Sequence, residues 1–265
     1  MSISTDAAGT SGVLSALAGL PFLAYLDDAE RARLRELAVL FLAEKEMHGA
    51  AGLTLTDDIR LSIAVQACLP ILNLGLNYYD GWVGIIVYPG GFRVRRQDVD
   101  EAGVVHQWTD DLSGEAWADG PVILSWEDVR NADARHAQGY NVVIHEFAHK
   151  LDMLHKREAD GYPAPHRTMD AALWYETLEQ SYAHFCAAVD RGLAHRPGAH
   201  NAAPVDEWGR VLPFDVYAAE HPAEFFAVMS EAFYTQSQLL RTCYPELYAQ
   251  LAKFYLQDPA ARLAA

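Results

Sequence analysis

The amino-acid sequence predicts an α+β fold in which helices precede and follow a small mixed sheet. Two observations support this prediction: apolar residues recur at helical spacing early and late in the chain, and short β-like runs occupy its middle. The chain has 265 residues and is 51% hydrophobic, which is enough to bury one sizeable core. We therefore expect a single domain over residues 19–265, preceded by a flexible tail over 1–18 that is rich in small residues.

Helical periodicity and turn signals place the predicted elements along the chain. The segments with helical spacing are Asp27–Glu46, Ile59–Leu69, Asn141–Leu154, Ala171–Val189 and Pro222–Tyr234. The β-like runs are Gly84–Tyr88, Phe92–Val94, Val104–Trp108 and Val122–Trp126. The stretch Arg191–Pro213 is a long connection between two helices, and such a connection is either a functional lid or a disordered insert.

The net charge and the cysteine count exclude several classes of function. The formal net charge is −16, whereas a protein that binds DNA or RNA needs a basic face. Three widely spaced cysteines form no disulfide framework and favour a reducing compartment. The first basic residue is Arg31, so the N-terminus lacks the basic region of a secretory signal, and no apolar run is long enough to cross a bilayer. We expect a cytoplasmic protein that binds neither nucleic acid nor membrane.

The segment His145–His149 reads His-Glu-Phe-Ala-His and has the spacing of a metal site. Side chains four residues apart project from one face of a helix, so the two imidazoles can bind one Zn²⁺. Glu146 follows the first histidine and can take a proton from a metal-activated water without being a ligand. The alternative is a helix with two satisfied core histidines. We disfavour it because residues 142–144 are apolar, and unpaired polar groups on a buried helix are costly.

A catalytic zinc site needs a third protein ligand and an open position for water. His155 and Glu224 compete for this role. His155 has the spacing of a metzincin ligand, but Asp152 stands where that pattern has a helix-breaking glycine. We therefore interpret His155 as a surface or loop histidine. Glu224 belongs to a separate, later helix, which is the gluzincin arrangement, and it is the preferred third ligand.

Three further residues are candidates for supporting roles around the metal. Asp152 lies three residues after His149 on the same helical face, so we expect it to accept the free ring N–H of a ligand histidine. Glu231 shares a face with Glu224 on an apolar helix and needs a partner there. Tyr217 could donate a hydrogen bond to the oxyanion of a tetrahedral intermediate, although a packed tyrosine is the favoured interpretation of this residue in isolation.

Two segments of the chain resemble the Mlc titration factor A family of bacterial zinc peptidases. The matching residues are His145–Asp152, Tyr217–Val228 and Ser230-Glu231, with further matches at Leu69–Leu72, Gly75-Leu76 and Pro121–Trp126. The resemblance runs roughly from Leu20 to Pro259. A narrower similarity links the same motifs to the catalytic domain of anthrax lethal factor. The resemblance implies a zincin-like domain of the gluzincin type, which contains one zinc per chain and an active-site helix.

The resemblance also implies roles for individual residues and a partner. It implies His145, His149 and Glu224 as zinc ligands, Glu146 as the catalytic base and Tyr217 as a group that stabilises the oxyanion. Members of the family are implied to bind a glucose-responsive transcriptional repressor and to modulate sugar uptake through it. No residue of the present sequence identifies the surface that such a partner would contact.

The sequence therefore predicts a zinc-dependent peptidase, and it leaves aminopeptidase and endopeptidase activity as alternatives. The strand Val122–Trp126 is either an edge that pairs with an extended peptide or a plain structural strand. A rival hypothesis is a binding protein that sequesters a regulator and has a structural zinc, with His155 or Glu231 as fourth ligand. A weaker alternative is a zinc hydrolase that acts on a non-peptide amide.

Overall fold

The first two helices begin where capping residues place them. In this computed structural model, which describes residues 20–99, 105–112, 114–116, 120–132, 139–195 and 203–263, helix α1 spans Asp28–Glu44 and α2 spans Asp57–Cys68. The Asp27 side chain accepts from the Glu30 N–H, and the Glu30 side chain accepts in return from the Asp27 N–H, which forms a capping box. The predicted tail over 1–18 lies outside the described residues.

The remaining helices lie in the second half of the chain. They are α3 (Trp126–Arg130), α4 (Val142–Asp152), α5 (Ala171–His195), α6 (Pro222–Thr235), α7 (Ser237–Cys243), α8 (Pro245–Tyr255) and α9 (Pro259–Leu263). Short 3₁₀ turns cover Pro21–Leu23, Leu76–Tyr79 and Val216–Ala219. The helical segments predicted from periodicity are present, whereas α3, α7, α8 and α9 were not predicted. No helix among the described residues has the length and apolar character needed to traverse a bilayer.

The described strands form a four-stranded sheet and a separate antiparallel pair. The strands are β1 (Glu46–Gly49), β2 (Gly84–Tyr88), β3 (Phe92–Val99), β4 (Val105–Leu112), β5 (Gly114–Ala116) and β6 (Val122–Ser125). The four-stranded sheet has the order β1-β2-β6-β5, in which β1, β2 and β6 are parallel and β5 is antiparallel to β6. Strands β3 and β4 pair with each other. This mixed, helix-rich architecture is compatible with the predicted α+β class.

The sheet order decides between the two interpretations of Val122–Trp126 in favour of a structural strand inside the sheet. Strand β6 lies between β2 and β5, so its backbone is paired on both sides. It ends at Ser125, whose side chain caps α3 by accepting from the Asp128 N–H. Among the described strands, the edge next to it is β5, which has only three residues and was too short to predict from alternation.

Two predicted helices have different ends in the structure. The first was expected to reach Glu46, but the backbone of Lys45 is extended and β1 begins directly after it. The fourth helix in sequence, α4, ends at Asp152 rather than Leu154, and His155 adopts a left-handed conformation with φ of 67°. Periodicity does not fix the last residue of a helix, because an apolar residue such as Leu154 can continue the helical pattern in the loop that follows.

The stretch Arg191–Pro213 begins as helix and continues as a packed loop. Helix α5 extends to His195, six residues beyond the predicted end, and residues 196–202 lie outside the described part of the chain. In the described remainder, the Val205 N–H donates to the Ala188 carbonyl of α5, and Val205 forms a β-bridge with Val211. The described part of this connection therefore folds onto α5.

The core surrounds α4, the helix that contains the His-Glu-x-x-His segment. Every residue of α4 is buried, and the helix packs against α2, α6 and strands β5 and β6. Lys150, the only lysine on α4, has its ammonium 4.5 Å from the ring centre of Trp82 and donates to the Gly120 carbonyl at 2.9 Å. The charge beside His149 is therefore stabilised locally, and α4 is a rigid support for the site.

Candidate metal centre

His145 and His149 lie on one face of helix α4 because they are four residues apart. The first turn of this helix is anchored at Asn141. The Asn141 side chain accepts from the Ile144 N–H at 3.0 Å and donates to Gln66 of α2 at 2.8 Å. The rings of His145 and His149 lie one turn apart, with centroids separated by 4.9 Å. Their spacing in the sequence thus becomes a pair of adjacent imidazoles inside the protein.

Helix α6 brings Glu224 to the same point from another part of the chain. His221 caps this helix through its ring nitrogen, and Pro222 occupies the first position, where a missing N–H costs little. Glu224 lies in the first turn of α6, which packs against α4. The carboxylate therefore reaches the two imidazoles, although 75 residues separate it from His149.

The three side chains converge on one point through three ligand atoms. Glu224 Oε2 lies 3.0 Å from His145 Nε2 and 3.4 Å from His149 Nε2, and the two Nε2 atoms are 3.2 Å apart. These three residues form a group whose candidate ligand atoms all lie within 4.8 Å of one another. Two imidazole nitrogens and one carboxylate oxygen are a donor set that suits Zn²⁺, so the residues present fit a metal ion.

Glu231 fixes the outer nitrogen of His145. Its Oε1 lies 2.7 Å from His145 Nδ1, and its Oε2 accepts from the backbone N–H of Asn141. The side chain of Glu231 is only 2% exposed. When the carboxylate accepts from Nδ1, the ring is held as the tautomer whose Nε2 lone pair faces Glu224 and the candidate metal position.

The electrostatics of the site follow from burial and from these carboxylates. Burial alone lowers the pKa of His145, but hydrogen bonds with Glu224 and Glu231 outweigh it and raise that pKa well above its usual range. Burial raises the pKa of Glu224, yet its hydrogen bonds with the two imidazoles dominate and lower it well below its usual range. Burial raises the pKa of Glu231. A cation at this position, either a proton or a metal ion, is therefore strongly favoured.

Glu146 lies at the boundary between α4 and the edge strand β5. The residue is 4% exposed, and its side chain lies against Gly114, the first residue of β5. Since β5 is the edge of the sheet, Glu146 lies beside backbone groups that no described strand pairs on their outer side. This contact was not predicted, because the sequence does not indicate which strand borders α4.

Asp152 does not make the contact that the sequence predicted. Its carboxylate accepts from the Gly161 N–H at 2.6 Å and lies 3.4 Å from the Lys156 ammonium, and it forms no hydrogen bond with a histidine ring. His149 Nδ1 is buried and has no hydrogen-bond partner among the described residues. The predicted bond to a ligand histidine is therefore wrong. The cause is that α4 ends at Asp152 and the following turn folds back over its carboxylate.

The turn that contains Gly161 supports Glu224 from outside the site. Gly161 has φ of 85°, and a Cβ built on it would lie 2.7 Å from Pro222 Cβ and closer still to the backbone carbonyl of Pro222. Only glycine fits there, since the position needs both a left-handed backbone and close approach. Asp152 thus positions the start of α6 through Gly161. Gly161 was not predicted as a site residue, because nothing local in the sequence links it to Pro222.

Tyr217 and His155 occupy different positions relative to the site. The Tyr217 ring centre lies 6.2 Å from that of His145, and the side chain is partly exposed beside the site. His155 is exposed in the turn after α4 and does not belong to the convergent group, as its interpretation as a loop histidine requires. Of the two proposed third ligands, the structure brings Glu224 and not His155 to the imidazoles.

The site combines two histidines from one helix with a glutamate from another, and a further glutamate follows the first histidine. This arrangement is typical of metal-dependent hydrolases. The model of the family described as glucose-regulated metallo-peptidase M90 matches residues 10–256. The chain belongs to this family, as the resemblance predicted. Membership indicates a metal-dependent peptidase and therefore a bound metal ion.

Curated relatives have the name that the resemblance suggested. The chain is 38% identical over 245 residues to the Mlc titration factor A of Pectobacterium atrosepticum, which covers 92% of this chain and 85% of that protein. It is 35% identical over 244 residues to the Mlc titration factor A of Yersinia pestis and to that of Yersinia pseudotuberculosis, with 92% of this chain and 84% of each relative covered.

Proposed function

We propose that this chain is a zinc-dependent peptidase with a zincin-like domain of the gluzincin type. One observation supports the proposal above all: candidate ligand atoms of His145 and His149 on the buried helix α4 and of Glu224 on α6 all lie within 4.8 Å of one another. His145, His149 and Glu224 would hold one zinc per chain, and Glu231 would orient His145 from the opposite side of its ring. Three protein ligands leave one position open, which a catalytic zinc requires.

Zinc, when bound, makes water more acidic and polarises the scissile carbonyl. Glu146 accepts the proton of the attacking water and later donates it to the leaving amine. Its burial supports this role, because a carboxylate in a site sheltered from solvent meets its substrate without competing hydration. Tyr217 donates to the oxyanion that develops on the substrate, and its position beside His145 supports this assignment.

The peptide would bind along β5. This strand is the described edge of the four-stranded sheet, and it contacts Glu146 through Gly114. An extended peptide that pairs with the unpaired side of β5 would bring one of its carbonyls to the site by backbone hydrogen bonds. A substrate whose N-terminus lies at this edge would make the enzyme an aminopeptidase, which remains our hypothesis for its specificity. The free cysteines support a reducing compartment such as the cytoplasm.

Removal and return of zinc tests the proposal. Purified protein should contain one zinc per chain and should cleave members of a mixed library of free-amine and acetylated peptides. Treatment with a chelator should abolish cleavage, and stoichiometric zinc should restore it. Cleavage of the free-amine members alone would support an aminopeptidase. A chelated protein that retains full cleavage, or a zinc-loaded protein that cleaves nothing, would contradict the proposal.

The second candidate is a binding protein that sequesters a transcriptional repressor. The name of the relatives, Mlc titration factor A, favours it. In that case the zinc would be structural and would need a fourth protein ligand, but neither His155 nor Glu231 joins the convergent group. If the zinc-loaded chain binds a purified repressor of sugar uptake but cleaves no peptide, this function replaces the first. If it does both, the two functions coexist.

A further inference from the structure

Gly114 lies so close to the side chain of Glu146 that a side chain at residue 114 would displace it. A Cβ built on Gly114 would lie 2.6 Å from both Cγ and Cδ of Glu146 and closer still to Oε1. Carbon atoms that are not bonded pack at roughly 3.5–4.0 Å, so the side chain of Glu146 occupies the space that a Cβ at residue 114 would need. Gly114 pairs with Leu124 of β6, which fixes the strand and prevents it from moving away.

Backbone conformation does not explain the glycine. The φ angles of Gly139 and Gly161 lie in the left-handed region, where glycine is favoured, but that of Gly114 does not. A glycine inside a strand is usually a weakness, and it often marks a place where another group approaches closely. Here the approaching group is a carboxylate on the neighbouring helix.

Glu146 has little room to retreat from a larger neighbour. It is 4% exposed and lies between His145 and Phe147 on a helix whose residues are all buried. A methyl group at residue 114 would therefore displace the carboxylate along or away from β5. The displacement is the difference between the 2.6 Å contact and an ordinary carbon–carbon contact, roughly 1 Å. The imidazoles of His145 and His149 contact Glu224 and Glu231 instead of Gly114, so we expect them to remain in place.

We propose that Gly114 is a positioning residue that sets the carboxylate of Glu146 against the edge strand, where the peptide is bound. The proposal rests on the proposed role of Glu146 as general base. It makes Gly114 part of the catalytic arrangement through Glu146 and gives the residue no role in holding metal.

Gly114→Ala tests the proposal through kcat, KM and zinc content measured together. We expect kcat to fall about 100-fold, since a displacement of about 1 Å costs that much, with KM and one zinc per chain unchanged. Gly84→Ala is the matched control: it lies in β2 of the same sheet, and its Cβ would meet only Pro121, at 3.3 Å. A Gly114→Ala enzyme with kcat within threefold of the wild type would overturn the proposal.

A double-mutant cycle separates the contact from any general weakness of β5. Gly114→Ala should lower the thermal midpoint by several degrees in the wild type, and the shift should disappear in a Glu146→Ala background, where the collision is gone. If the single variant does not fold, the double variant should. An equal loss in both backgrounds would show that Gly114 serves the strand alone and would overturn the proposal.

The same measurements distinguish this proposal from the proposed function. A wild-type protein without peptidase activity would refute the role of Glu146 as base and the positioning role with it, whereas the stability cycle would still report the contact. An active wild type with an unaffected Gly114→Ala variant would refute the positioning role alone.

Discussion

The two imidazoles of the candidate metal centre lie one turn apart on α4, yet the protein supports them differently. His145 Nδ1 lies 2.7 Å from Glu231, whose other oxygen accepts from the Asn141 N–H. His149 Nδ1 is buried with no hydrogen-bond partner among the described residues. The fold therefore orients His145 through the carboxylate of Glu231, whereas His149 depends on packing and on its Nε2 contacts.

The different support of the two histidines predicts that His145 contributes to folding as well as to metal binding, whereas His149 contributes mainly to metal binding. The outer nitrogen of His145 is part of a buried network that joins α4 to α6, so the residue has a structural as well as a ligand role. The ring of His149 contributes to the metal centre with less support from its surroundings, so its replacement should affect the metal and spare the fold.

The largest expected effect is the loss of zinc when either histidine is replaced. His145→Ala and His149→Ala should both lose bound zinc and peptidase activity, because each removes one of three ligands. The two should differ in the metal-free state. His145→Ala leaves the carboxylate of Glu231 buried without its imidazole, so its free energy of unfolding should fall by about 1–3 kcal/mol more than that of His149→Ala. Elemental analysis and urea unfolding measure both quantities. Equal stabilities of the two metal-free variants would contradict the comparison.

Gly161→Ala should disturb both imidazoles together, because it displaces the start of α6 and hence Glu224. Left-handed strain and the collision with Pro222 should lower the free energy of unfolding by about 3 kcal/mol and weaken zinc binding. Gly209→Ala is the control, since Gly209 has φ of 80° with nothing within 4 Å of an added Cβ. The control should cost only about 1 kcal/mol and leave zinc affinity unchanged. Equal zinc affinity in the two variants would refute the support of Glu224 by Gly161.

Glu231→Gln should weaken the His145 half of the site without removing a ligand. An amide cannot accept from both His145 Nδ1 and the Asn141 N–H, so one buried donor loses its partner. Zinc affinity, measured by competition with a chelator, should fall about 10–100-fold. Glu220→Gln, at an exposed position before α6, is the control and should leave zinc affinity unchanged. Undiminished affinity in Glu231→Gln would mean that His145 needs no support.

The smallest expected effect is a pH dependence of the metal-free protein. The pKa of His145 is raised in the folded state, so its contribution to stability is complete below about pH 6.5 and is lost as pH rises through the raised folded-state pKa. The stability difference between the metal-free wild type and His145→Gln, measured by urea unfolding, should therefore shrink as the pH rises above about 6.5. A difference that is constant with pH would contradict this electrostatic account.

Much of the site was predictable because its signals are local. A spacing of four places His145 and His149 on one face, and a spacing of seven places Glu224 and Glu231 on another. The structure brings both glutamates to His145, but on opposite nitrogens. Periodicity could not predict which glutamate faces which nitrogen, because that depends on the angle at which α6 crosses α4.

The errors arose where distant segments meet. Asp152 was predicted to accept from a histidine because of its position on the helix, yet its carboxylate accepts from the N–H of Gly161. An edge position was one of the two interpretations of strand β6, but a three-residue strand with no alternation pairs beside it. Residues Gly114 and Gly161 both provide space for a group from another element, and a glycine in a sequence does not indicate what fills the space that it leaves.

Zinc content and peptide hydrolysis of wild type and Glu146→Gln, measured side by side, test the central claim most directly. Glutamine keeps the shape of Glu146 but cannot accept the proton of water, so we predict one zinc in both proteins and a loss of kcat of about 10²–10⁴-fold in the variant. Glu158→Gln, at an exposed position in the turn after α4, should match the wild type. A Glu146→Gln protein that contains one zinc and hydrolyses peptides at the wild-type rate would contradict the account.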